Sequence, residues 1–211
     1  MLPIFPQKKV TITSIKCSIK LPICVELQAF QILCQNVGVK VKRFPSFLVL
    51  SRIPLDPLDS MWNKNCKLTL FRYRDHIKDL DPNKVPLSQR QHCNVAGLKS
   101  TKSLHHVKQF LSLLVDCDPD DMVSTYDNIC GTKKFPLSII KSDFVLANRD
   151  KCICQFESFP AIILKTPHKV TVLIYSTANC VFKGARSEDQ LEKANKYMVK
   201  CFHNYLRYVI H

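Results

Sequence analysis

Glu157-Ser-Phe-Pro-Ala-Ile-Ile-Leu-Lys-Thr-Pro167 has a looser copy upstream, Lys42-Arg-Phe-Pro-Ser-Phe-Leu-Val-Leu-Ser-Arg-Ile-Pro54. Both read Phe-Pro, then a β-branched or apolar strand, then a basic residue and a Pro. A second matched pair lies downstream, Asn94-Val-Ala-Gly-Leu-Lys-Ser100 and Val181-Phe-Lys-Gly-Ala-Arg-Ser187. Each member is a strand, a Gly, a small or apolar residue, a basic residue and a Ser that opens a helix. Self-similarity of this kind marks a duplicated structural unit. The helices follow in both copies. After Ser187, Gln190 completes a capping box, and Leu191, Ala194, Met198, Cys201, Phe202 and Tyr205 recur at helical spacing. After Ser100, Leu104, Val107, Phe110, Leu111 and Leu114 do the same.

Each half also opens on an alternating segment, Val10-Thr-Ile-Thr-Ser-Ile15 and Asn128-Ile-Cys-Gly-Thr132, followed by a short apolar helix near 23–36 and 137–148. The order in both is strand, helix, several antiparallel strands, long helix, which defines an α+β architecture. The repeats are expected at 1–117 and 122–211, intertwined as one domain. Phe44 and Phe159 are 115 residues apart, yet Gly97 and Gly184 only 87, so the first copy carries 28 extra residues between these landmarks. They fall in polar stretches near 54–66 and 75–92, flanking Lys67-Leu-Thr-Leu-Phe71, and read as surface loops.

A net charge of +14 is divided as +8 up to residue 121 and +6 after it, so the excess is no tail. A basic body throughout points to a polyanionic partner, nucleic acid foremost. No apolar run approaches the roughly 20 residues that cross a bilayer, and the opening Met1-Leu-Pro-Ile-Phe-Pro does not have the form of a secretory signal. The eleven cysteines include no CxxC, and the one close pair is Cys152-Ile-Cys154. This suits free thiols in a reducing compartment better than zinc knuckles or disulfides.

Four stretches, Asn128-Ile-Cys-Gly-Thr132, Phe159-Pro-Ala-Ile-Ile-Leu-Lys165, Val170-Thr-Val-Leu-Ile-Tyr-Ser176 and Val181-Phe-Lys-Gly-Ala-Arg186, stand in this order with regular spacing. Together they resemble the conserved core of the TATA-box-binding protein family. The likeness covers nearly the whole chain and is strongest in its second half. It implies a saddle-shaped α+β fold. Two pseudo-symmetric repeats would form one curved ten-stranded antiparallel sheet with a free concave face and helices on the convex face. It also implies a transcription initiation factor that binds and bends A/T-rich promoter DNA in the minor groove.

Under that resemblance, the intercalating aromatics are Phe44 and Phe71 in the first half and Phe159 and Tyr175 in the second. Such wedges unstack base steps and kink the duplex. Asn128, with Thr11 as its first-half partner, is placed at base edges, as are Val95, Val181 and Lys183. Arg52, Lys99, Lys165 and Arg186 would hold phosphates, which set register without reading sequence. The chain also departs from the family. Ala96 and Lys183 stand where it places a threonine before each Gly, and Asn94 stands where an apolar residue is usual. The 53–62 segment brings Asp56 and Asp59 close to the expected DNA path. Strict preference for a TATA-like element is expected to weaken.

Catalytic readings fail on the residues. The four glycines, at 38, 97, 131 and 184, cannot build a phosphate loop. His105 and His106 are adjacent on a helix and point apart. Asp116-Cys-Asp-Pro-Asp-Asp121 lacks the Gly and distal Glu of a calcium loop. No enzyme, cofactor, metal or small-molecule substrate is expected. The implied partners are double-stranded DNA, IIA-type and IIB-type general transcription factors and the RNA polymerase machinery, in a nucleus or a viral transcription compartment. The competing reading is a protein-interaction scaffold that has lost sequence-specific DNA binding.

Overall fold

The computed structural model describes residues 5, 9–51, 53, 66–73, 84–154 and 158–210. The expected loops therefore lie largely outside the described residues, as does Arg52. Among the described residues there are ten strands: β1 (Thr11–Lys20), β2 (Lys40–Arg43), β3 (Phe47–Ser51), β4 (Lys67–Phe71), β5 (His92–Leu98), β6 (Val123–Lys134), β7 (Cys152–Ile153), β8 (Ile162–Lys165), β9 (Thr171–Ile174) and β10 (Asn179–Ala185). Among the described residues the α-helices are α1 (Leu27–Asn36), α2 (Lys102–Val115), α3 (Lys141–Ala147) and α4 (Glu188–Ile210). The strands hydrogen-bond in the order β2-β3-β4-β5-β1-β6-β10-β9-β8-β7, an open sheet, as the α+β reading expects.

The chain divides into two compact units, and the division does not fall between the sequence halves. One unit holds residues 14–127; the other holds residues 1–13 together with 128–211. Phe5 shows why the start of the chain joins the second repeat. It is buried, with its ring 5.7 Å from Phe135 and 5.9 Å from Phe202.

In the 14–127 unit the antiparallel order is β2-β3-β4-β5-β1. Strand alternation sends Leu48, Leu50, Leu68, Leu70, Cys93, Val95, Ile15, Cys17 and Ile19 to one buried side. Helix α1 packs on β2, β3 and α2 and buries Leu27, Phe30 and Cys34. Its start is capped by the Glu26 carboxylate, which accepts from the Ala29 N–H at 2.8 Å. The apolar stripe of α2 buries Leu104, Val107, Phe110, Leu111 and Val115.

The second unit repeats the plan as β6-β10-β9-β8-β7 with α3 and α4. Helix α4 packs on α3 and β10. Its core is a ring cluster in which Phe202 lies 4.6 Å from Phe135 and 5.5 Å from Phe144. The Ser-x-x-Gln spacing caps the helix, with the return bond falling one residue before the N-cap. Ser187 Oγ accepts from the Gln190 N–H at 3.1 Å, and Gln190 Oε1 accepts from the Arg186 N–H at 2.7 Å.

Candidate nucleic-acid interface

Because one side of each strand set is buried toward helices, the alternate residues line an open side, and the ladder register determines which residues stand in a row. In the second unit, Ile163, Leu173, Val181 and Thr132 oppose one another successively across β8, β9, β10 and β6. All four are half-buried. In the 14–127 unit the equivalent row is Val49, Thr69, Asn94 and Ser18. A neighbouring row holds Lys165, Thr171 and Lys183 in one unit, and Ser51, Lys67, Ala96 and Lys16 in the other.

Rings stand at strand ends, beyond these rows. Phe71 ends β4, and Tyr175 directly follows β9 at the equivalent position. Phe44 and Phe159 sit on the loops entering β3 and β8. All four are half-buried. Phe47, directly opposite Phe71 in the ladder, was missed by the sequence reading. Phe44 stacks on Phe47 with centroids 4.4 Å apart, and Phe71 stacks on His92 at 4.6 Å. Lys42 Nζ lies 5.1 Å from the Phe44 centroid, within cation–π range. Burial, and after it the charge of Lys20, lowers the pKa of His92, favouring the neutral ring. The stretch Phe47-Leu-Val-Leu-Ser51 carried the signal, since its alternation already put Phe47 on the side opposite Leu48.

Asn128 is half-buried on β6. Its Oδ1 accepts from the Gly184 N–H at 2.8 Å. An N–H can be met only by the carbonyl end of the carboxamide, so the NH2 is the end left to face a ligand. Gly184, at φ +91°, marks an irregularity in the β10–β6 ladder; Gly97, at φ 90°, is its counterpart beside the matching shift in β1–β5. Lys165, Lys183, Lys99 and Arg186 are exposed.

Three expectations change. Val95 is completely buried on the helix side, because β-strand parity turns Asn94 and Ala96 outward instead. Thr11 is not the counterpart of Asn128. Ile15 pairs with Leu98 as Ile129 pairs with Ala185, so Ser14 occupies the position equivalent to Asn128. The two Phe-Pro motifs are offset by one residue against the ladder. Val49 corresponds to Ile163, and Ser51, rather than Arg52, to Lys165.

Two copies of a strand layer, each presenting rings, lysines and polar side chains opposite its helices, define a duplicated α+β protein whose strands keep one open side. Residues 125–205 match the family model of "Transcription factor TFIID (or TATA-binding protein, TBP)". The solved structure of Methanococcus jannaschii TBP has the same fold, with TM-score 0.66 and 17% identity, over 92% of this chain and 98% of that one. No curated protein matches the sequence. The family-model match lies almost entirely within the second unit, and the likeness to the solved structure extends the same fold over nearly the whole chain.

Proposed function

We propose that the chain is a transcription initiation factor that grips promoter DNA in the minor groove with the open side of its strands and bends it. The observation that carries this reading is the set of four half-buried rings, two in each unit: Phe71 and Tyr175 on the open side by strand parity, Phe44 stacked on Phe47 of that side, and Phe159 on the loop entering β8. Rings inserted between base steps cost a few kcal/mol of unstacking per step. Apolar contact with the widened groove offsets that cost, and Ile163, Leu173 and Val181 supply such a surface. The minor-groove floor of A·T pairs offers only acceptors, to which the Asn128 NH2 is complementary. Lys165, Lys99 and Arg186 would meet phosphates, and Lys183 would add positive charge in the groove. The exposed residues of α4, Glu188, Lys193, Lys196 and Lys200, offer a docking face for IIA-type or IIB-type factors and polymerase. The site of action would be a nucleus or a viral transcription compartment.

Fluorescence-detected bending of short A·T-tract and G·C-rich duplexes tests this. Wild type should bend the A·T duplex, and Phe159→Ala should abolish the bend and weaken binding about tenfold or more. Weak, unbent binding indifferent to sequence and to the substitution would overturn the reading and favour the scaffold. The scaffold reading draws its own support from Asn94 and the exposed Ala96 and Lys183, which replace base-contacting residue types.

A further inference from the structure

The middle of the open row differs between the units in a way that bears on base recognition. The second unit places hydrocarbon there, Leu173 and Val181, whereas the 14–127 unit places Thr69 and Asn94, with Ser18 next in the row where the other unit has Thr132. Ser18 Oγ lies 3.0 Å from Asn94 Oδ1 and 2.8 Å from a carboxylate oxygen of Asp127. A hydroxyl carries one proton and cannot donate to both. The carboxylate accepts only, and the shorter, charge-assisted bond claims the proton. Asn94 must then turn its NH2 to Ser18, a half-turn of the carboxamide that leaves the side chain's shape unchanged. The resulting chain runs from Asn94 Nδ2–H to Ser18 Oγ, and from Ser18 Oγ–H to Asp127.

This polarity has a consequence at the surface. Asn94 Oδ1 and the second carboxylate oxygen of Asp127 become the groups presented outward, and both accept. Asp127 is exposed, and Asn94 and Ser18 are half-buried. Lys16 and Lys20 stand two residues to either side of Ser18 on the same side of β1, so the carboxylate is flanked by cations. Acceptors facing the acceptors of an A·T pair repel them. The minor groove offers one donor, the exocyclic 2-amino group of guanine.

We propose that Asp127 and Asn94, aligned through Ser18, select a G·C pair beneath the 14–127 unit, while Asn128 and the hydrocarbon row of the other unit favour A·T. The inference rests on the minor-groove reading above. It assigns this chain a half-and-half recognition element, in which the guanine amino group bonds to the Asp127 carboxylate or the Asn94 carbonyl.

The test uses three short duplexes measured by fluorescence anisotropy with the full chain. One is A·T throughout; one carries G·C pairs in one half; the third replaces each guanine with inosine, which lacks only the 2-amino group. Wild type should bind the guanine duplex at least about fivefold more tightly than the inosine duplex. Asp127→Ala combined with Asn94→Val should bring that ratio to about one. The ratio cancels any general change in charge or folding. A wild-type ratio of one or less overturns the proposal even if the variant fails to fold, and so does a ratio the double substitution leaves unchanged. Failure of wild type to bind or bend any of the three duplexes would instead overturn the minor-groove reading itself, and the guanine proposal with it.

Discussion

Lys133 is nearly fully buried, on the strand side where β1 carries Ile19 at the equivalent position. Its Nζ lies 2.9 Å from Asn195 Oδ1 and 4.8 Å from the Phe135 centroid, and Asn195 Nδ2 donates to Glu192 at 3.2 Å. Burial lowers the lysine's pKa, and the nearby Glu192 charge works against that shift. A buried cation whose partner is removed is costly, while replacing both members with hydrocarbon is often neutral. Asn195→Leu should therefore destabilise the protein by about 3 kcal/mol, and Lys133→Ile added to it should restore most of the loss. Urea unfolding of the two variants checks this; a double variant no more stable than Asn195→Leu alone would show that the network stabilises by packing rather than by satisfying charge. None of this was legible in the sequence. A lysine pair at 133–134 reads as solvated charge until strand parity assigns one of the two to the core.

The elements themselves were largely legible, because each rests on local periodicity or a cap. The short helices expected near 23–36 and 137–148 appear as α1 and α3, and Ser187 with Gln190 marked the start of α4. What stayed hidden came from tertiary packing. The alternating segments at Val10–Ile15 and Asn128–Thr132 foretold strands, but β1 and β6 run on to Lys20 and Lys134. Motif spacing alone could not reveal the one-residue offset after Phe44, nor the strand parity and register that turn Val95 to the core and make Ser14, not Thr11, the counterpart of Asn128. Nor could it show that Phe5 packs with the second repeat, since one ring in a Pro-bounded stretch has no period. Gly131 illustrates the same level. Its first-repeat equivalent is Cys17, which has room for a side chain. A Cβ on Gly131 would lie 2.5 Å from Val10 Cγ1, 3.0 Å from the Thr11 carbonyl oxygen and 3.4 Å from Leu191 Cδ2. Backbone cannot give way as a rotamer can, so Gly131→Ala should destabilise by about 1–3 kcal/mol. Thermal unfolding would show this as a lowered Tm, whereas an unchanged Tm would mean that the start of β1 is not held against β6 as described.

At the scale of the whole molecule, positive charge and aromatic rings do separable work in the proposed complex, and salt distinguishes them. With +14 spread over both halves, binding should weaken steeply as ions compete. The logarithm of the affinity falls against that of salt concentration by about 0.9 for each duplex phosphate neutralised. Lys165 and Lys183 flank Thr171 in one row of the open side and are both exposed. If both meet phosphates, Lys165→Gln with Lys183→Gln should reduce the slope's magnitude by about two. Phe159→Ala should lower affinity at every salt concentration and leave the slope alone, because a ring releases no counterion. An unchanged slope for the lysine pair would move these residues out of phosphate contact, and Lys183 would then act toward the groove floor. A reduced slope for Phe159→Ala would mean that the ring holds the duplex in the bend that brings the lysines to the phosphates.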